Sequence, residues 1–149
     1  MNLQGTLDLP ELRRGKTYGP LVVTLYSTLP VYNVDGDPTS GIKTPGVVYT
    51  GLTLGSKTVR GKFRVTNAAG EIYSGADIGT VTWSVVSAAA GTIQVLVDTT
   101  VTDPSNTAFP TDTTKLRWDV EEVDTSFSPT RVNALCGGII PVASEVTYT

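Results

Sequence analysis

Asn33, Asp35 and Asp37 set oxygen-bearing side chains at alternate positions, as in the opening of a calcium loop, where a hard cation is ringed by oxygen ligands. The pattern then fails, because Pro38 stands where such a loop needs glycine and Thr44 where it needs a bidentate glutamate. A plain turn at Asp35-Gly36 is the expectation, and no metal site or cofactor is expected. Glu121, Glu122 and Asp124 are a second acidic group, and paired carboxylates are the equipment of glycoside hydrolysis. On a strand, Glu121 and Glu122 point to opposite faces, which leaves one buried and the other solvated. An ion pair from Glu121 to Arg117 or to a basic residue on a neighbouring strand is the simpler reading. Cys136 is the single cysteine, with no adjacent base to hold a thiolate, and reads as a small core side chain. The chain has no histidine, which removes the commonest general base and the Ser-His and Cys-His nucleophile pairs. No catalytic set emerges, and the chain is not expected to be an enzyme.

The elements that would carry these residues follow from composition and alternation. A chain of 149 residues with one cysteine makes one domain, with a core large enough to stand without disulfides. Fourteen acidic against eleven basic residues give a net charge of −3, which argues against a nucleic-acid partner. The opening residues carry neither a basic nor an apolar signal region, and no run is long enough for a membrane span, so neither secretion nor a membrane is expected. Roughly one residue in six is threonine, valine is abundant, and no long amphipathic helix is encoded, so the class is all-β.

Leu21, Val23 and Leu25 alternate as a strand. Phe63 and Val65 face one way while Arg60, Lys62 and Arg64 face the other; Val81, Trp83 and Val85 then alternate with polar neighbours, and Ile93, Val95 and Val97 follow. Asn67 to Glu71 reads as a turn, and Thr99 to Thr114 as a polar loop. The segment Lys115 to Val123 fits a helical and a strand period, and Trp118 decides for strand because a helix would turn its ring away from the apolar stripe. Val132, Ala134 and Cys136 alternate before a turn at Gly137-Gly138 and a closing stretch through Ile140, Val142, Val146 and Tyr148. Trp83 and Trp118 are expected to be buried on facing strands or sheets. About seven antiparallel strands predict a β-sandwich over 19–149, preceded by an N-terminal arm over 1–18. Residues 27–57 form a long insertion punctuated by Pro30, Pro38 and Pro45.

The order of the motifs Arg14-Gly15-Lys16-Thr17, Phe63 to Glu71, Thr82-Trp83-Ser84-Val85, Gly91-Thr92-Ile93, Leu116 to Glu121, Cys136 to Val142 and Glu145-Val146-Thr147 resembles the small immunoglobulin-like β-sandwich of tailed-phage tail and baseplate proteins. The resemblance covers about 90 residues, from Thr58 to Thr149, and rests on the order of short patterns. It implies a structural virion protein of a tailed bacteriophage, in the tail, the baseplate or an adaptor. Such a protein is assembled in the host cytoplasm, binds other phage structural proteins and forms a homo-oligomer within a symmetric assembly. A capsid decoration or head-associated protein is the alternative within that class, and a host-glycan-binding module using Tyr26, Tyr32, Tyr49 and Tyr73 is the alternative outside it. The expected contact residues are Leu3, Leu7 and Leu9 of the arm, adding a strand to a partner, with Val31, Tyr32, Val47, Tyr49 and Leu52 of the insertion.

Overall fold

The computed structural model describes residues 9–53, 55–66 and 72–143, with the backbone alone over 72–76. In chain order the strands are β1 (Leu12–Arg13), β2 (Tyr18–Thr24), β3 (Tyr26–Thr28), β4 (Val31–Val34), β5 (Asp37–Thr44) and β6 (Val47–Val48). Then come β7 (Lys57–Thr66), β8 (Ile72–Asp77), β9 (Thr82–Ser87), β10 (Thr92–Val97), β11 (Lys115–Asp124) and β12 (Arg131–Ala143). A 3₁₀ turn at Gly51–Thr53 and the one-turn helix α1 (Thr99–Thr102) are the only helical pieces among the described residues. Strand dominates the described residues and helix is slight, which places the chain in the all-β class.

Two sheets carry the body. One is five-stranded in the order β1-β12-β11-β7-β8, the other three-stranded in the order β2-β10-β9. Strand β11 shows why. Leu116, Trp118 and Val120 alternate inward, followed by Glu122 and Asp124, while Lys115, Arg117 and Asp119 alternate outward. In the facing sheet Ile93, Val95 and Val97 point inward from the central strand β10, and Val23 points inward from β2. The sheets meet through an aromatic row. Trp83 of β9 stacks on Trp118 of β11 at 5.7 Å between ring centres and 24° between planes. Phe63 of β7 meets Trp83 edge-on at 6.5 Å, and Tyr18 of β2 meets Phe63 edge-on at 5.9 Å. Both tryptophans are thus buried and on facing sheets, and Lys115–Asp124 is a strand.

Gly61 lets the sheets close on this row: a Cβ there would stand 2.0 Å from the Asp119 carbonyl oxygen and 2.9 Å from Trp83 Nε1. Gly137 also permits a close backbone approach, and Gly137-Gly138 does not make the expected turn. β12 runs unbroken from Arg131 to Ala143, with Gly138 paired to Trp118, and a Cβ on Gly137 would stand 2.6 Å from the Trp118 carbonyl oxygen. The register of β12 shifts opposite Val120 and Glu121, so Leu135 turns into the core while Val132 and Ala134 lie outside. Cys136 falls opposite Val120 on the inner side of that shift.

The N-terminal arm needs correction over its described part. Residues 9–18 belong to the domain: Leu9, Leu12 and Tyr18 are in the core, and β1 pairs parallel with β12 through Leu12 opposite Val142. Burial of two leucines and a tyrosine against their own sheet outweighs any gain from leaving them for a partner. Arg14 is buried too. Its Nη1 donates to the Phe109 carbonyl at 2.9 Å, its Nη2 donates to the Pro110 carbonyl, and its guanidinium lies 3.8 Å from the Phe109 ring centre. The expected polar loop after Thr99 is therefore folded down, with Phe109 fully buried and Asn106 Nδ2 donating to the carbonyls of Ile78 and Val101. Leu3 and Leu7 of the arm, the turn at Asn67 to Glu71, and Val146 and Tyr148 lie outside the described residues.

Candidate interaction surface

The long insertion divides into a hairpin that forms a two-stranded sheet of its own and a return segment that joins the domain core. Strands β4 and β5 pair antiparallel, with Val31 opposite Thr44, Tyr32 opposite Ile42 and Val34 opposite Asp37. Gly36 closes the hairpin at φ 76°, a conformation glycine adopts freely, so Asp35-Gly36 is the expected turn. The Asp37 carboxylate is taken up by the hairpin itself, accepting from Thr39 N at 2.9 Å and from Thr39 Oγ1 at 2.5 Å. Those bonds hold its pKa below the usual value. Ser40 Oγ donates to the Asp37 carbonyl at 2.7 Å and accepts from Val34 N at 2.9 Å, which fixes the hairpin locally.

What the hairpin lacks is a core. No apolar residue of β4 or β5 is buried, and Val34 is 58% and Ile42 59% exposed. Val31 and Leu29 are exposed beside them, Val47 is 56% exposed on the adjoining ribbon of β3 and β6, and Tyr32 is half-buried. Sequence reasoning named Val31, Tyr32 and Val47 and missed Val34 and Ile42. The signal for these two was the pairing across Asp35-Gly36, which brings Tyr32 and Ile42 opposite one another.

Tyr49 and Leu52 require correction as contact residues, and so does Leu9. All three are in the domain's own core, with Leu9 N also donating to the Ile139 carbonyl at 3.1 Å. Tyr49 is drawn in by a polar partner far along the chain: its hydroxyl donates to the buried Glu122 carboxylate. Glu122 also receives Lys57 Nζ at 3.2 Å and Asn133 Nδ2 at 3.2 Å. Burial works against ionisation of Glu122, but the bonds from Tyr49, Asn133 and Lys57 outweigh it and hold the carboxyl below its usual pKa. The Tyr49 phenol is pushed up by its burial and by the bond to Glu122. Gly51 makes room, since a Cβ there would stand 2.3 Å from the Tyr49 ring. Next along β11, Asp124 accepts from Ser126 Oγ at 2.6 Å, from Ser126 N at 3.0 Å and from Ser56 Oγ at 3.1 Å, which lowers its pKa as well. The acidic group of β11 thus fastens the return segment to the sheet. Glu121, on the opposite face, pairs with Arg60 of the neighbouring strand at 2.6 Å, as the alternation requires.

Among the described residues no group of three or more His, Cys, Asp or Glu side chains could hold a metal ion. Cys136 is mostly enclosed and its thiol is pushed up to about 12 by burial, far from the value of a nucleophile. With Tyr49 inside and the Tyr73 side chain outside the described residues, Tyr26 and Tyr32 remain of the tyrosines a sugar-stacking row would use. No protein-family model matches the chain, and no curated protein matches its sequence.

Proposed function

We propose that this chain is a structural subunit of a tailed-phage virion, in the tail, the baseplate or an adaptor, that acts by protein-protein contacts and carries no catalytic activity. In this reading its two facing sheets are a variant of the immunoglobulin-like sandwich that the motif order resembles, and the β4-β5 hairpin is the principal contact. The observation that carries the reading is the hairpin itself, in which Val31, Val34 and Ile42 stand in water on a locally fixed two-stranded element. Apolar groups gathered on one projecting element mark an interaction surface, whereas single exposed ones do not. Its partner is another virion protein or a symmetry-related copy, and burial of the valine and isoleucine side chains supplies the association energy.

Immunogold labelling of purified particles with an antibody to this chain tests the setting, and label along the tail or baseplate is expected. Label confined to the head would assign the chain to the capsid, and label absent from particles would reject the virion reading. Val34→Asp with Ile42→Asp tests the contact: the variant should fold normally and fail to enter particles, and normal incorporation would remove the hairpin from the role.

A further inference from the structure

The outward face of the five-stranded sheet carries a line of charges that is balanced along most of its length and unbalanced at one end. Arg60 pairs with Glu121 at 2.6 Å, and Lys62 pairs with Asp77 at 3.3 Å while its backbone N donates to Asp119 Oδ1 at 3.3 Å. One step further, Arg64 lies opposite Arg117 in the β7-β11 register, with Lys115 at the start of β11. Asp77 is opposite Arg64 on the other side, but its carboxylate is committed to Lys62. Among the described residues none of Arg64, Arg117 and Lys115 is in an ion pair. Like charges directly opposite on paired strands work against the sheet, so this arrangement favours an anionic surface laid over it.

The complementary surface is on the same chain. No lysine or arginine occurs from Val65 to Thr114, while Asp98, Asp103 and Asp112 occur in the loop that leads into β11. All three are exposed, and among the described residues none is in an ion pair. The backbone N of Thr100 donates to Asp98 at 2.7 Å, and Ser105 donates to Asp103 from its N at 2.8 Å and its Oγ at 2.6 Å. These bonds keep both carboxylates ionised and leave their remaining lone pairs facing solvent. The loop is held rigid from below by Arg14, Asn106 and Phe109. It leads directly into the cations, Asp112 lying three residues before Lys115, and its end is held to β12 where Val142 N donates to the Thr114 carbonyl.

We infer that a second copy of this chain docks at this end, the Arg64, Arg117 and Lys115 cluster of each copy receiving the Asp98, Asp103 and Asp112 loop of the other. The pairing is reciprocal, so one two-fold axis would satisfy both halves at once and close the contact as a dimer. The inference rests on reading the chain as an assembling subunit, and it assigns the contact between copies to a surface other than the β4-β5 hairpin.

Sedimentation of the full chain tests it. A dimer is expected whose dissociation constant rises roughly ten-fold or more between 50 and 500 mM salt, as exposed ion pairs are screened. Arg64→Glu with Arg117→Glu, and separately Asp103→Lys with Asp112→Lys, should each give monomers at low salt with unchanged melting. Mixing the two variants should restore a heterodimer, since each reversed patch then meets its complement. If Asp103→Lys disturbs the turn at Ser105, Asp112→Lys against Arg117→Glu gives the same test with smaller shifts. A wild-type chain that is monomeric at 50 mM salt, a salt-independent dimer, or variants that do not rescue one another would each overturn the inference. A monomeric chain that still enters particles would overturn this inference alone, and a salt-sensitive dimer absent from particles would support it while rejecting the proposed function.

Discussion

Between Val31 and Thr44 the chain sends Val34 and Ile42 into water, whereas between Tyr49 and Lys57 it sends Tyr49 and Leu52 into the core. The two stretches share a vocabulary of tyrosine, glycine, threonine and serine, and they lie within one connection between sheets. What separates them is the company at the landing point. The return segment passes the buried end of β11, where Glu122 offers an acceptor to the Tyr49 hydroxyl. The hairpin closes its polar groups on itself through Asp37, Thr39 and Ser40 and pairs its strands only with each other among the described residues. A segment's fate is thus set by whether its polar groups are satisfied at home or abroad, and its apolar residues follow.

The comparison can be broken by denaturation measurements. Trp118→Ala, which opens a cavity beneath the stacked indoles, sets the upper mark with an expected loss of about 3–5 kcal/mol. Leu52→Ala should cost about 2–4 kcal/mol by the same cavity argument, and a loss near zero would mean the return segment is not part of the folded unit. Tyr49→Phe keeps the ring but removes one donor from buried Glu122, and about 1–3 kcal/mol is expected. Acidification sharpens the point. Glu122 and Asp124 have folded-state pKa values below their ordinary values of 4.5 and 3.8, so their contribution is complete above that range and is lost as pH falls through the lowered values. Hydrogen exchange at pH 3 should therefore rise over 49–57 relative to the strands of β10, and Glu122→Gln should remove part of that dependence. The smallest effect is expected at the hairpin, where Val34→Ser with Ile42→Ser should move stability by no more than about 0.5 kcal/mol. A loss matching that of Leu52→Ala would erase the distinction between the two stretches.

The alternating strands were legible because burial on one face writes itself into neighbouring residues: β2, β7, β10 and β11 all follow from period two. The faces of Glu121 and Glu122 followed from the same rule. The illegible parts depend on distant partners. Leu9 and Leu12 are core residues because β1 pairs parallel with a strand at the other end of the chain, and a two-residue strand leaves no periodic trace. Tyr49 lies 73 residues from the carboxylate that draws it in. Gly137 and Gly138 carry the composition of a turn, and only the pairing with Trp118 and Asp119 across the ladder, where the Trp118 carbonyl leaves no room for a Cβ on Gly137, explains why the strand continues through them.

Cys136, set opposite Val120 on the inner side of the β12 register shift, gives the protein a built-in clock. Because its thiol stays protonated in the closed state, an alkylating reagent consumes it at a rate set by how often β12 lifts away from β11 and how long it stays open. The chain has no other cysteine, so the growth of a single mass increment of one adduct reports those openings, in the free subunit and in any assembly that holds the strand shut.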